Sequence, residues 1–365
     1  MLTITTTHPS DLDAVGERWR ALEQRSDCSF FQSWAWTGCL AADRFRDPVL
    51  IEVRRRDECV AMALFNRRRA RWPHMDRLWL GESGTPALDS VFIEHNGPLI
   101  ARGEEDALRD CLQAVPRSGR RVVFSGVGAA ELRVLETLPG AIIARQTRVA
   151  PYIDLAAIRD AGGAYLDSLS ANTRYQLRRS ARRYAASGPL RVERAGSPAE
   201  AHSFLDRLAV LHQATWTKRG RPGAFANPDF ARFHHTIIDR TAGSGAADLL
   251  QVMAGPRVVG YLYNFRFQGA VSAYQSGFAY DDGDSHAKPG LTCHHLAAET
   301  YLAEGADRYD FLAGDDRYKA SLSNAAASLH WIELAPAWSA PDILHRLAGR
   351  WRARTRPADP AQGGR

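Results

Sequence analysis

Within the stretch YDFLAGDDRYKASLS, Tyr309 to Ser323, residues 315–319 gather two carboxylates, a phenol and an amine: Asp315, Asp316, Tyr318 and Lys319. A carboxylate can take a proton, a phenol can give one, and an ammonium can steady developing negative charge. That is the equipment of a group transfer assisted by acid and base. Of the 47 lysine and arginine residues only Lys218, Lys288 and Lys319 are lysine. In so arginine-rich a chain, a retained lysine marks places where a compact ammonium of tunable pKa serves better than a planar guanidinium.

A second chemical feature is the loop HAKPGLT, containing Lys288, Pro289, Gly290 and Leu291. Pro289 fixes φ, Gly290 allows close approach, and the free N–H groups of a first helical turn suit a pyrophosphate. Arg174, Arg178 and Arg182 form one helical stripe with Arg179 and Arg183 beside it, able to bind phosphates or simply to face solvent. The pairs His234-His235 and His294-His295 put neighbouring side chains about 100° apart on a helix, so they do not converge on a metal. His212, on an apolar helical face, reads as a satisfied core histidine. No GxSxG elbow, GxxxxGK[ST] loop or strand-associated GxGxxG is present, which removes the motifs of serine hydrolases, P-loop NTPases and dinucleotide oxidoreductases.

The elements that must position these groups follow from periodicity and turn residues. In the first half, DLDAVGERWRALEQ and FFQSWAWTGCLAA read as helices. PVLIEVRRR and ECVAMALFNRRR read as a hairpin about Arg56-Asp57. DRLWLGES and RRVVFSGV are two more strands, separated by the helix EEDALRDCLQAV, and PYIDL is expected to be the connection into the second half. There, residues 164–188 form a long arginine-rich helix ending at Gly188-Pro189, and a further helix covers about 198–219. FARFHHTIIDR is helical, and DLLQVMA, RVVGYLYNFRFQ and AVSAYQSGFAY make an antiparallel meander. The helix LTCHHLAAETYLAEG and the strand ADRYDFLAG complete the order. On the strand from Ala270 to Tyr280, the two-residue period places Tyr274, Ser276 and Phe278 on one face.

The 365 residues are enough for two domains, and 45% hydrophobic with 24% charged residues is ordinary globular composition. The net charge of +6 favours an anionic partner. Five cysteines, odd in number and never in CxxC spacing, argue against a disulfide framework and a zinc site. With no signal-like N-terminus and no membrane-length apolar window, the expected location is cytoplasmic. The basic, Pro/Gly-rich segment 341–365 is expected to be a partly disordered tail.

Taken together, FFQSWAWTGCL, PVLIEVRRRDECVAMALFNRRR, PYIDL with LSANTRYQLRRSARRY, LHQATWTKRG, KPGL and DFLAGDDRYKASLS resemble the CelD/BcsL-type acetyltransferases of the GNAT superfamily. These share a two-lobed layout with the FemAB-like aminoacyl ligases. The family's last motif, Asp-x-x-x-Gly-Asp/Glu-x-x-Tyr-Lys, is met by Asp310, Gly314, Asp315, Tyr318 and Lys319, whereas HAKPGL stands where ordinary GNAT enzymes carry their Gln/Arg-x-x-Gly-x-Gly/Ala signature. The resemblance implies an α/β (α+β) fold of two tandem GNAT-like lobes, each a mostly antiparallel mixed sheet flanked by helices. Residues 1–150 would be a degenerate lobe and 151–340 the acyltransferase lobe.

It further implies direct acyl transfer from acyl-CoA, acetyl-CoA above all, to a small-molecule or glycan amine, without a metal. Asp315 or Asp316 would accept a proton, Tyr318 would donate to the leaving group and Lys319 would stabilise charge. Lys288, Pro289, Gly290, Leu291, Tyr274 and Ser276 would hold the donor. Arg174, Arg178, Trp216 and Lys218 would meet anionic or acceptor groups. Two alternatives stand beside this: a Fem-like ligase taking its acyl group from aminoacyl-tRNA, and a non-catalytic scaffold on the same fold.

Overall fold

The computed structural model describes residues 1–69, 76–115, 120–281, 284, 286–337, 339, 340 and 342–344; all but a few residues of the expected tail lie outside these. The first half runs β1 (Leu2–Thr7), α1 (Leu12–Glu23), α2 (Trp34–Arg44), β2 (Pro48–Arg55), β3 (Glu58–Arg68), β4 (Arg77–Leu80), the short β5 (Leu99–Ile100), α3 (Ala107–Gln113), β6 (Arg121–Val127), α4 (Ala129–Leu135) and β7 (Ala141–Asp154). Two helices connect the halves, α5 (Leu155–Asp160) and α6 (Ala171–Ala185). The second half runs β8 (Leu190–Arg194), α7 (Pro198–Lys218), α8 (Pro228–Thr241), β9 (Ala247–Ala254), β10 (Arg257–Phe267), β11 (Ala270–Phe278), α9 (Pro289–Ala303), β12 (Arg308–Asp310), α10 (Arg317–Leu322) and β13 (Ala325–Ala335). Apart from β5, the second half repeats the first: strand, two helices, three strands, helix, strand, helix, strand.

All the strands join one sheet in the order β1-β2-β3-β4-β6-β13-β7-β12-β11-β10-β9-β8, with β5 paired to β3. Each half contributes an antiparallel run and one parallel pair, β4 with β6 and β11 with β12. The final strands are exchanged. β7, the end of the first half, pairs with β12 of the second, and β13 pairs with β6 of the first. β7 and β13 lie antiparallel to each other at the centre. One correction follows: PYIDL is the end of the long strand β7, which runs from Ala141 to Asp154, rather than a connection.

Local sequence accounts for the joints. Arg56 and Asp57 both have positive φ (51° and 68°), the two-residue turn whose twist suits a hairpin. The long helix expected over 164–188 is shorter, because Tyr165–Ser168 is a 3₁₀ turn and Ser170 caps α6 by accepting the Thr173 N–H. α7 starts with Ser197 as cap and Pro198 in its first turn, and buries Phe204, Leu205, Leu208 and His212 against the sheet. It lies so close to β11 that a Cβ on Gly277 would be 2.4 Å from the Leu208 carbonyl oxygen.

The core is shared between the halves. Phe30, just before α2, stacks on Phe265 of β10 at 4.2 Å, and Trp36 meets Phe233 of α8 edge to face. Burying each such ring contributes on the order of 1.5–3 kcal/mol. Exchanged strands and a common aromatic core fix the halves against each other, which a site built from both requires. Among the described residues, no helix is long and apolar enough to cross a membrane.

Candidate active site

β11 and β12 run parallel for three paired positions, Ala270 with Arg308, Val271 with Tyr309 and Ser272 with Asp310, and then part. After β12 the chain bonds to β7 instead: the Phe311 N–H donates to the Pro151 carbonyl and the Gly314 N–H to that of Val149, each at 3.0 Å. The β11 edge beyond Ser272 therefore faces a gap, and backbone groups along such an edge need partners. The matching gap of the first half, where β4 and β6 part after Leu80 and Phe124, is filled. There the Asn96 amide donates to the Leu80 carbonyl at 3.0 Å and to the Ser125 carbonyl at 3.2 Å. Among the described residues no side chain bridges β11 and β12 in this way.

The segment that carries this plug also reaches the second half. The Val91 carbonyl accepts the Tyr274 hydroxyl. Glu94 Oε2 accepts the Ala313 N–H at 2.5 Å, and His95 Nε2 lies 3.1 Å from Asp310 Oδ2. Phe92 and His95 are held at φ of 49° and 47°, and Leu312 opposite them at 60°. Non-glycine residues are rarely found there, and such strain collects at functional sites.

Burial pushes the Asp310 carboxyl up, but the His95 hydrogen bond and charge, Arg308 and the Leu312 N–H outweigh it and leave the group below its usual range. Glu94 behaves oppositely. Burial raises it to about 7, although the Ala313 N–H, Lys319 and His95 all favour its charged form.

Lys319, on α10, donates to the carbonyls of Leu312 (3.3 Å) and Ala313 (3.1 Å). Burial lowers its pKa, while Glu94, Asp316, Asp310 and Asp315 work to keep it charged. The Tyr318 ring stacks on the imidazole of His294 at 5.4 Å and 16°. Burial raises the phenol, helped by Asp316 and Tyr280 and opposed by Arg219. His294 Nδ1 lies 2.8 Å from the Tyr309 hydroxyl, and burial followed by the Lys319 charge pushes the imidazole down to about 3, so the ring is neutral.

The other expected site residues are distributed as follows. Asp315 and Asp316 are exposed, and Asp316 caps α10 by position without a side-chain hydrogen bond. Lys288 precedes α9 and its N–H is taken by Ser180 Oγ, which also meets Thr292 Oγ1 at 2.7 Å and so pins α6 to α9. Pro289 opens α9, Gly290 lies under the Phe278 ring, and Leu291 is buried. The Gly290 and Leu291 N–H groups belong to the first turn, which has no intrahelical acceptor for them. Arg174 is half-buried and donates to the Leu169 carbonyl, whereas Arg178 is exposed. Trp216 packs against His212 at 5.8 Å with the Arg219 guanidinium over its ring, and Lys218 is exposed at the end of α7.

Tyr274 is a correction. Tyr263 pairs with Gln275 but Asn264 pairs with Ala273, so Tyr274 is the extra residue of a β-bulge. The bulge turns its ring onto the α8 side, 4.9 Å from both His234 and Phe265. Phe278 stays on the α9 side, 5.8 Å from His294. Tyr274 and Phe278 therefore lie on opposite faces, and Tyr274 is a core residue rather than a donor contact. Ser276 pairs with Leu262, and its carbonyl accepts His212 Nδ1 at 3.1 Å. His212 Nε2 accepts the Ala224 N–H at 3.3 Å, so this histidine is satisfied on both sides, as its apolar helical face suggested.

Glu94, His95, Asp310 as a buried carboxylate, and His294 beneath Tyr318 were not singled out from sequence as site residues. One signal existed for the first two. In VFIEHNGPLI, three consecutive polar side chains interrupt an apolar run, and buried polar groups require partners.

Residues 171–320, from the start of α6 to just past Lys319, match the family described as acetyltransferase (GNAT) domain. No curated protein matches the sequence. Among solved structures, FemX is similar at 11% identity with a TM-score of 0.59, covering 94% of this chain and 99% of that one. The C-terminal domain of a putative lysylphosphatidylglycerol synthetase from Agrobacterium fabrum is similar at 11% identity and a TM-score of 0.54, covering 93% and 96%. L-PGS from Bacillus licheniformis is similar at 11% identity and a TM-score of 0.52, with the same coverage. At these identities the likeness is one of fold. The fold is two tandem GNAT-like lobes sharing a mixed sheet flanked by helices, and the match to the acetyltransferase (GNAT) domain family falls in the second.

Proposed function

We propose that the protein is an N-acyltransferase of the CelD/BcsL type, transferring an acyl group, acetyl in the simplest case, from acyl-CoA to an amine on a small molecule or glycan. The observation that carries this reading is the open gap between β11 and β12, with Lys319 held on the Leu312 and Ala313 carbonyls just past the end of β12. In this reading residues 151–340 hold the donor. The first lobe, residues 1–150, holds none, because Asn96 closes its equivalent gap.

The β11 edge beyond Ser272 pairs with no strand, and apart from the Ser276 carbonyl, which His212 holds, it offers backbone groups to an extended chain ending in a thioester. The first turn of α9, at Gly290 and Leu291 beside Lys288, favours anionic groups. Ser276 and Phe278 face α9 across the same gap. Lys319, already desolvated, stabilises the oxyanion as the amine adds, and Tyr318 gives its proton to the departing thiolate. In this reading Trp216, Lys218, Arg174 and Arg178 would meet the acceptor or the donor's charged end. An amine acceptor of this kind fits envelope, polysaccharide or secondary-metabolite assembly.

Thermal shift with acetyl-CoA and longer acyl-CoAs, followed by turnover of Lys319→Ala and Tyr318→Phe, tests the proposal. Stabilisation by a coenzyme A thioester and a large loss of kcat in both variants are expected. Unchanged kcat in both would sink the roles given to them.

A second reading has one observation in its favour. Arg178, Arg182 and Arg183 are exposed on α6, which Ser180 pins against the start of α9. A donor carried on tRNA, as in a Fem-like ligase, would lay its phosphates along that face. Binding of charged tRNA with a steep salt dependence, and no stabilisation by coenzyme A, would select it.

A further inference from the structure

Attack by an amine on an acyl carbonyl requires a proton acceptor, and the two carboxylates nearest in sequence, Asp315 and Asp316, are both exposed. Glu94 is not. It is 8% exposed and reaches out of the first lobe on the same segment that plugs that lobe's own gap. Its Oε2 is fixed on the Ala313 N–H, next to the two carbonyls that hold the Lys319 ammonium. Among the described residues, its second oxygen, Oε1, has no hydrogen-bond donor.

We propose that Glu94 is the general base of the acyl transfer, donated by the first lobe to the active site of the second. The assignment rests on the acyl-transfer reading and adds to it a reason for the first lobe to persist without a donor site. Glu94 Oε1 takes the proton of the attacking amine as the C–N bond forms. The C–S bond breaks, the thiolate takes the Tyr318 proton, and solvent returns the proton from Glu94 to Tyr318. No oxidant or further reactant is needed.

Three titratable groups face Glu94: Lys319 from α10, His95 from its own segment and Asp310 from β12. Lys319 and His95 favour its ionised form and Asp310 opposes it, while burial raises it to about 7. A base near neutral combines availability with proton-accepting strength.

Glu94→Gln is the test, because glutamine retains an oxygen for the Ala313 N–H. The donor dissociation constant and kcat/KM of wild type and variant are measured across pH with the best amine found. Glu94→Asp serves as a second variant that keeps the carboxylate but withdraws it. The expected result is an unchanged donor constant, a fall in kcat/KM of about 10²–10⁴-fold in Glu94→Gln, a smaller fall in Glu94→Asp, and loss of the acidic limb in Glu94→Gln alone. A Glu94→Gln enzyme with wild-type kcat/KM and the same acidic limb overturns the assignment and leaves the acyltransferase reading standing. A wild-type protein that turns over no acyl donor overturns both.

Discussion

Lys319 lies directly against Gly314: a Cβ on that glycine would be 2.9 Å from the lysine Nζ. Gly314 also has φ of +153°, a conformation that side chains avoid. The glycine of GDDRYK therefore both permits the turn after β12 and leaves room for the ammonium. Gly314→Ala is expected to displace Lys319 from the Leu312 and Ala313 carbonyls. It should lower kcat about tenfold or more while costing only about 1–3 kcal/mol of stability. Kinetics beside a denaturant curve separates the two effects, and a normal kcat would show that Lys319 need not sit where it does.

Tyr274 and the α9 face make opposite predictions. Tyr274→Phe removes the hydroxyl that meets the Val91 carbonyl inside an aromatic core, so it should cost about 1–3 kcal/mol and leave donor affinity unchanged. Phe278→Ala, on the face shared with Gly290 and His294, should instead weaken donor binding. Calorimetric titration of both variants with the same acyl-CoA gives the comparison.

Asn96 is expected to matter for stability rather than for donor binding. Asn96→Ala leaves the buried Leu80 and Ser125 carbonyls without their shared donor, at about 1–3 kcal/mol for the unpaired groups. Urea denaturation should show the loss. An unaltered midpoint would mean that water replaces the amide without cost.

Glu82 gives stability a defined pH dependence. Its Oε2 accepts the Ser125 hydroxyl, and burial raises its carboxyl from 4.5 to about 8. A carboxyl whose folded pKa is raised binds its proton more tightly in the folded state. Its contribution is therefore best below 4.5 and declines as pH rises to about 8, losing about 1.4 kcal/mol for each step of one in pH. Glu82→Gln, neutral throughout, should melt close to wild type at about pH 5 and several degrees higher above pH 8. A constant difference in Tm across that range would contradict the assignment.

Much of the fold was legible locally. The Arg56-Asp57 hairpin, the β9 to β11 meander, α7 and α9 all follow from turn residues and periodicity, because those signals act over a few positions. The misreadings share a cause. PYIDL looked like a connection because nothing near it in sequence says that β7 pairs with β12 and β13. Tyr274 looked like a site residue because a strict two-residue period has no place for a bulge, and the bulge is visible only in the register against β10.

By itself the sequence determined which chemistry was on offer: a rare lysine beside a tyrosine after a strand and a glycine, and a helix start suited to anions. Tertiary structure alone decided which carboxylate joins them. Asp315 and Asp316 are neighbours in sequence but lie in solvent. Glu94 is more than two hundred residues from Lys319 and yet is held within hydrogen-bond reach of the same loop. Exchange of β7 and β13 and a common aromatic core bring the two lobes together, and burial at their junction raises that carboxyl to about 7.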